Sequence, residues 1–277
     1  MSEIRTLKDG DTQVLPRTVS KAVSMENGNS AEVEINNKAD RELSNLSDYQ
    51  KALAALGAGV RDNLVDNWDF SNQVNQRGQD IYSNEGYGLD RWYCEGGSTI
   101  YCNGGARMGI INGSNAVIQR ISIEDAQKLV GKTVTVSMLT AQNNLVSATG
   151  IVNPLTQDTD ISVGSDGLTF SLRFFANGET QIARFAGKGD VLAVKVEKGD
   201  TQTLGYQTPD GTWELLKHSD YASELLKCQQ YFININCGNY LVGAFFGYTS
   251  GHFMLPLPIK MRAIPTVTLL EGEYPTV

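Results

Sequence analysis

Cysteine, histidine and proline are scarce in this sequence of 277 residues, which contains four cysteines, two histidines and seven prolines. The histidines, His218 and His252, lie in different segments, and no two cysteines have Cys-x-x-Cys spacing. A structural zinc site normally needs four such ligands in closely spaced pairs. The sequence therefore argues against zinc. It also lacks a Gly-x-Ser-x-Gly motif and an obvious catalytic triad, so we predict a protein that is not an enzyme.

The cysteines form two local pairs, Cys94 with Cys102 and Cys228 with Cys237. One interpretation is two disulfides that form after release from the cell. The other is four buried thiols, which cytoplasmic synthesis favours because the cytosol keeps thiols reduced.

Long apolar runs and basic runs are also missing. No stretch reaches the roughly 20 apolar residues of a membrane span, and the N-terminal MSEIR segment lacks the apolar core of a signal peptide. We therefore expect cytoplasmic synthesis without membrane insertion. The formal net charge of −8 repels phosphate backbones, so nucleic acid is not an expected partner.

Glycine is abundant, with 28 residues, and it separates many short runs of Val, Ile, Thr and Phe. Period-two alternation predicts strands at 89–94, 106–111, 116–121, 133–139, 168–175, 181–185 and 191–197. Asp-Gly at 166–167 and 210–211 and Asn-Gly at 177–178 predict tight turns. Short helices are predicted at 122–131, capped by Ser122, and at 220–227. The fold class that follows is mainly β, with a jelly-roll β-sandwich over residues 61–227.

A different pattern precedes the strands, within residues 31–60. Successive offsets of four and three residues form a heptad seam. Its members are Ala39, Leu43, Leu46, Gln50 and Leu53. The pattern predicts a short trimeric coiled coil, because a lone amphipathic helix of this length is marginal in water. A helix folded back on the β-domain remains the alternative.

The two ends of the chain differ from its middle. Residues 1–30 are polar and rich in turn formers, which suggests an attachment segment. Residues 228–277 are rich in aromatic residues and glycine. About 50 residues bury too little surface to fold alone, so this small β-rich segment should pack on the sandwich or on its own copies in a trimer.

An ordered series of motifs runs through nearly the whole chain. It comprises PRTVSKAV at 16–23, NLVDNW at 63–68, NQRG at 75–78, GYGLDRW at 86–92, VKVEKG at 194–199, YASELLKCQQYF at 221–232 and LPLPIKMRAIPTV at 255–267. This series resembles tail and fibre proteins of phages and prophages of gut bacteria that carry a jelly roll similar to a carbohydrate-binding module. The segment after the CQQYF region is shorter here than is usual in such proteins.

The resemblance implies a structural protein of a virion tail, fibre or spike, assembled in the bacterial cytoplasm. It implies attachment to other tail or baseplate proteins through residues 1–30, and adsorption to a host surface glycan. One alternative is a purely structural adaptor or decoration protein. A glycan depolymerase is a second, since paired carboxylates can converge in space from distant parts of a sequence.

Three aromatic residues that we expect in loops are the candidate sugar contacts: Tyr101, Tyr206 and above all Trp213, beside the 210–211 turn. The Asp90-Arg91-Trp92 triplet fits a core tryptophan with an Asp90–Arg91 ion pair better than it fits a binding site. The loop from NQRG to DRW supplies oxygen atoms, so a structural calcium ion is a further hypothesis.

The heptad seam generates a prediction about assembly. Light scattering of the purified chain should give about three times the monomer mass of 30.2 kDa, because the seam is predicted to be buried in a trimeric coiled coil. A monomer mass at every concentration would contradict the coiled-coil interpretation.

Overall fold

The computed structural model describes residues 60–102, 108–112, 115–235, 243–247, 250–254 and 257–268, and two short strands near the N-terminus. The chain divides into two compact units, Met1–Ala58 and Gly59–Val277. In the first unit, β1 (Lys8–Asp9) pairs with β2 (Thr12–Gln13) in antiparallel fashion. The five heptad seam positions lie outside the described residues, so the coiled coil stays a prediction.

The second unit is mainly β. Its strands are β3 (Ile81–Tyr82), β4 (Gly86–Tyr87), β5 (Tyr93–Cys94), β6 (Ser98–Tyr101), β7 (Met108–Asn112), β8 (Val117–Arg120), β9 (Thr133–Thr140), β10 (Leu145–Ile151), β11 (Thr159–Ser165), β12 (Leu168–Phe174), β13 (Thr180–Lys198), β14 (Gly205–Gln207), β15 (Trp213–Leu215), β16 (Gly243–Gly247) and β17 (Ser250–Phe253). The helices are α1 (Ile123–Gln127) and α2 (Tyr221–Gln229), and a 3-10 turn covers Phe70–Asn72.

Strand β13 belongs to both large antiparallel sheets. As far as Gly187 it pairs with β8 on one side and β12 on the other, and from Lys188 it pairs with β7 and β9. The first sheet has the order β4-β5-β8-β13-β12-β11, and the second has the order β3-β6-β7-β13-β9-β10. The prediction of two separate strands, at 181–185 and 191–197, is wrong, because one strand of 19 residues covers both.

Glycine is required where β13 passes from the first sheet to the second. Gly187 has a φ of 94°, and a Cβ there would lie 2.2 Å from the carbonyl oxygen of Gly167. Gly167 has a φ of 81°, and a Cβ there would lie 2.9 Å from the carbonyl oxygen of Lys188. Only glycine combines this backbone conformation with so close an approach.

The predicted turns are confirmed. Asp166 and Gly167, with φ values of 55° and 81°, connect β11 to β12 as a two-residue hairpin loop with positive φ at both positions. Gly178 lies between β12 and β13 with a φ of 90°, and Gly211 lies between β14 and β15 with the same value. Local dipeptide chemistry is therefore sufficient to locate these three hairpins.

Both predicted helices are present, each with a side-chain cap. Ser122 Oγ accepts a hydrogen bond from the backbone N–H of Asp125 at 3.1 Å, and the Asp125 carboxylate accepts one from the Ser122 hydroxyl. In α2, Asp220 Oδ1 accepts from the backbone N–H of Ser223 at 2.8 Å. These oxygens satisfy N–H groups that the first turn of a helix leaves without partners.

Residues from both sheets form one hydrophobic core. At its centre the Phe185 ring lies 4.9 Å from that of Phe170 and 5.2 Å from that of Trp92. Phe70 packs 5.7 Å from Trp92, and all four side chains are fully buried. Tilted aromatic pairs at these separations stabilise a core beyond their buried area.

Asn67 joins three segments that are distant in sequence. Its side-chain Nδ2 donates to the carbonyl oxygens of Val74 and Asp90, both at 2.9 Å, and its Oδ1 accepts from Val74 N–H. Its backbone N–H donates to Glu224 on α2 at 2.7 Å, and its carbonyl accepts from the Trp92 indole at 3.0 Å. Residues of three resemblance motifs, NLVDNW, GYGLDRW and YASELLKCQQYF, therefore meet at this asparagine.

The chain after α2 packs on the β-domain through cation–π contacts. The Arg91 guanidinium lies 3.5 Å from the centroid of the Tyr231 ring, and that of Arg77 lies 3.6 Å from the Phe232 ring. Gln76 Nε2 also donates to the carbonyl of Phe232 at 2.9 Å. The start of the aromatic segment thus packs on the β-domain of its own chain, as one of the two predicted alternatives requires.

Three cysteines are buried free thiols: Cys94, Cys102 and Cys228. The alternative of a Cys94–Cys102 disulfide is therefore wrong, and Cys237 lies outside the described residues. Burial raises the pKa of Cys94 to about 11 and that of Cys102 to about 12. Such thiols are inert at neutral pH because the reactive thiolate is scarce.

Within the described residues, no helix is both long enough and apolar enough to cross a bilayer.

The contacts of Asn67 generate a stability prediction. Asn67→Ala should lower the free energy of unfolding by about 2–4 kcal/mol, because several buried backbone groups lose their partners. Urea unfolding measures the change. Asn67 has a φ of 51°, so Asn67→Gly keeps an unstrained backbone while removing the same bonds. The exposed Asn84 supplies the control: Asn84→Ala should cost less than about 0.5 kcal/mol. Equal stability of the Asn67 and Asn84 variants would contradict the prediction.

Candidate functional site

Two of the predicted sugar contacts, Tyr206 and Trp213, lie on one hairpin but on opposite faces. The ladder of β14 and β15 pairs Tyr206 with Glu214 and Gln207 with Trp213. Side chains alternate between faces along a strand, and paired residues share a face. The two rings therefore do not form a common surface.

Trp213 faces the body of the protein. Its ring is half-buried and packs against the hydrophobic core. Its backbone N–H donates to Asn143 Oδ1 at 2.6 Å, and its carbonyl accepts from Asn143 Nδ2 at 2.9 Å. These two hydrogen bonds to the Asn143 amide attach the hairpin to the β9–β10 turn.

Tyr206 lies on the other face of the hairpin, where its hydroxyl donates to Glu214 at 2.6 Å. The bond to this carboxylate raises the pKa of the Tyr206 phenol. Tyr206 is thus half-buried, with its hydroxyl bonded to a neighbouring carboxylate.

Tyr101 does not lie in a loop, and that part of the prediction is wrong. It is the last residue of β6, where it pairs with Ile81 of β3 and Gly109 of β7. Repeated Ser, Gly and Asn residues around it suggested a loop, whereas pairing with two neighbouring strands makes the segment a strand. Tyr101 belongs to the second sheet and is not part of the β14–β15 hairpin.

The Asp90-Arg91-Trp92 triplet is part of the folded core. Trp92 is fully buried, as expected. The expected Asp90–Arg91 ion pair is wrong, because Arg91 Nε instead bonds to Asp66 at 2.8 Å. Arg91 has a φ of 71°, and its side chain contacts the NLVDNW segment through Asp66.

Both carboxylate oxygens of Asp90 have protein donors. Gln76 supplies its backbone N–H at 2.6 Å to one and its side-chain Nε2 at 2.7 Å to the other. Burial raises the pKa of Asp90. Within the described residues, no group of three or more His, Cys, Asp or Glu side chains is arranged to hold a metal ion. The calcium hypothesis therefore gains no support from the loop on which it was based.

Among the described residues, Asp69 and His218 form a carboxylate–imidazole pair, an arrangement that also occurs in catalytic triads. Asp69 Oδ2 lies 3.1 Å from His218 Nδ1 and accepts from the backbone N–H of Ser219. Ser71 bonds to the other oxygen of the same carboxylate. A serine nucleophile must instead contact the imidazole. The buried Asp69 carboxylate therefore holds the chain segment before α2 in place.

An aromatic pair outside the predicted sugar contacts lies at the edge of the first sheet. Tyr87 on β4 and Tyr93 on β5 are register partners, with ring centroids 5.2 Å apart in a T-shaped arrangement. Tyr87 is 51% exposed. Rings on adjacent strands are held by the backbone ladder, so their spacing is fixed before any ligand arrives.

Charged groups surround this pair. The Tyr93 hydroxyl donates to Glu85 at 3.1 Å, and this bond raises the pKa of Tyr93. The Arg120 guanidinium lies 5.3 Å from the Tyr93 ring and pairs with Glu179 at 3.0 Å and Glu95 at 3.9 Å. We call the surface formed by Tyr87, Tyr93, Glu85, Glu95 and Arg120 the tyrosine face.

The tyrosine face has groups that can contact both the apolar face and the hydroxyl groups of a sugar. Exposed ring surface accommodates the apolar C–H face of a pyranose, while carboxylates accept bonds from hydroxyl groups and a guanidinium donates them. A signal for it exists in the sequence: if Trp92 points into the core, alternation places Tyr93 outside. What the sequence does not supply is the pairing of β4 with β5.

No family model, curated protein or solved structure matches this chain.

The burial of Trp213 leads to a test of its role. Trp213→Ala should lower the free energy of unfolding by about 1.5–2.5 kcal/mol, roughly half the cost at a fully buried aromatic site. Tyr206→Ala, on the outer face of the same hairpin, should cost less than about 0.5 kcal/mol. Thermal unfolding of the two variants compares them directly. A larger loss at Tyr206 would mean that the hairpin is held by its outer face.

Proposed function

We propose that this chain is a structural protein of a bacteriophage tail, fibre or spike. In this proposal its second unit is a jelly roll that binds host surface glycans. Residues 1–30 attach it to other tail or baseplate proteins, and the seam from Ala39 to Leu53 makes it a homotrimer. It acts in the virion, after assembly in the bacterial cytoplasm, and it is not an enzyme. The ordered motifs support the class of protein, and the two antiparallel sheets are compatible with a jelly roll.

The observation that carries the glycan-binding part is the Tyr87–Tyr93 pair. Two rings held at a fixed angle on a sheet edge, with hydrogen-bonding groups on both sides, match the composition of a sugar-binding platform. A single shallow platform binds weakly. Three copies in a trimer, and many trimers on a virion, would raise the avidity without any new contact.

Two alternatives lead to different outcomes. A structural adaptor or decoration protein would bind no glycan, and its tyrosines would serve only the fold. A depolymerase would release reducing sugar from the glycan it binds. A glycan array combined with a reducing-sugar assay on one sample separates the three functions.

The proposal is tested by Tyr87→Ala. It should reduce glycan binding and phage adsorption by about tenfold, because loss of an exposed stacking ring removes about 1–1.5 kcal/mol per site. The melting temperature should stay nearly unchanged, since the side chain is half exposed.

Tyr221→Ala is the matched control. Tyr221 is 46% exposed and lies in the first turn of α2, outside the tyrosine face. It should leave binding and adsorption intact. Native-level adsorption by both variants would reject the tyrosine face as the receptor contact and favour the adaptor function.

A further inference from the structure

The outward face of the first sheet continues from the tyrosines to three arginines. Arg184 on β13 pairs in register with Ile118 on β8, and Ile118 pairs with Tyr93 on β5. These three residues therefore form one row across neighbouring strands. Strands lie about 4.8 Å apart, so the backbones of Tyr93 and Arg184 are separated by roughly 9–10 Å. An arginine side chain is long enough to carry its guanidinium over part of that distance.

Two of the arginines on this face are neutralised by carboxylates, whereas the third is not. Arg120 pairs with Glu179 and Glu95, and Arg173 on β12 pairs with Asp160 at 2.9 Å. Arg184 forms no ion pair with any carboxylate in the part of the chain that the structure describes.

The surroundings of Arg184 disfavour its charge. Burial lowers its pKa most and the positive charge of Arg173 lowers it further, whereas the more distant carboxylates of Glu95 and Asp160 raise it without forming an ion pair. A half-buried cation beside a second cation gains most from an anion that reaches it, because the local dielectric constant is below that of water.

A second polar group without a partner lies in the neighbouring register row of the same face. Gln181 pairs in register with Arg120 and Arg173, while Arg184 pairs with Ser171, two residues before Arg173 on β12. The Gln181 side-chain oxygen is buried without a hydrogen-bond partner. Buried acceptors of this kind normally have a donor. A sugar hydroxyl or a water molecule entering beside Arg184 would supply one.

We infer that the tyrosine face and Arg184 together select a glycan that carries a carboxylate, a uronic or sialic acid unit. This inference rests on the proposed glycan-binding function and names its substrate class. The pyranose ring lies on Tyr87 and Tyr93, and its carboxylate accepts two parallel hydrogen bonds from Arg184. The two donors of a guanidinium match the two oxygens of a carboxylate, so this pair of bonds fixes the orientation of the glycan and adds affinity.

The test uses the full chain and an array of uronic and sialic acid oligosaccharides. Each is printed beside its carboxyl-reduced counterpart, in which a hydroxymethyl group replaces the carboxylate. The native chain should bind at least one acidic glycan about tenfold or more above its reduced counterpart, the difference expected of a charge-assisted bond. Arg184→Gln should abolish this preference while leaving binding of the reduced glycan unchanged.

Arg173→Gln is the matched control on the same face. Its guanidinium is already paired with Asp160, so its removal should leave the preference in place. Melting temperatures show whether each variant is folded. Arg184→Lys keeps the charge without the fork of donors and should retain a reduced preference, which gives a second readout if Arg184→Gln fails to fold.

The outcomes separate this inference from the function on which it rests. If acidic and reduced glycans bind equally and Tyr87→Ala weakens both, the carboxylate inference is overturned and the glycan-binding function stands. If Arg184→Gln keeps the acidic preference, Arg184 is not the selecting group. If no glycan binds the native chain, both proposals fail together.

Discussion

The close approach of Gly187 to Gly167 is the constraint on which the two-sheet arrangement depends. It lets β13 leave the first sheet and join the second without a break in the chain. Any side chain at Gly187 would collide with the turn between β11 and β12. Because β13 runs through the middle of both sheets, its position sets the register of β8 and β12, and through β8 that of β5 and β4. The spacing of Tyr87, Tyr93 and Arg184 follows from that register.

Several motifs that carry the resemblance to phage tail proteins contain residues that stabilise the fold of this chain. Asn67 and Trp92 are buried, Asp90 bonds to Gln76, and Glu224 ties α2 to the same centre. These residues explain why separate segments must meet in one fold. They leave little of their own chemistry for a ligand. A shared set of such motifs is therefore better support for a common architecture than for a common receptor, and the receptor contact has to be sought among other residues.

Placing the candidate site on a sheet has a physical consequence. Loop aromatics must be ordered when they bind, whereas Tyr87 and Tyr93 are fixed by the ladder of β4 and β5. A preorganised surface loses less entropy on binding. Such a surface also cannot adjust its shape to a ligand, so the affinity of a single site should stay modest. In the proposed homotrimer, several copies of such a weak but rigid site would together raise the avidity.

The sequence by itself determined the features that local backbone chemistry controls. The turns at 166–167, 177–178 and 210–211, the cap at Ser122, and the burial of Trp92 follow from dipeptides, a short side chain and alternation. Tertiary structure alone decided that β13 is one strand and that Arg91 pairs with Asp66 rather than Asp90. It also decided that Trp213 packs inward while Tyr87 and Tyr93 meet outside. These features depend on which distant strands pair and in which register, and period-two alternation, being identical for every strand, does not encode partners.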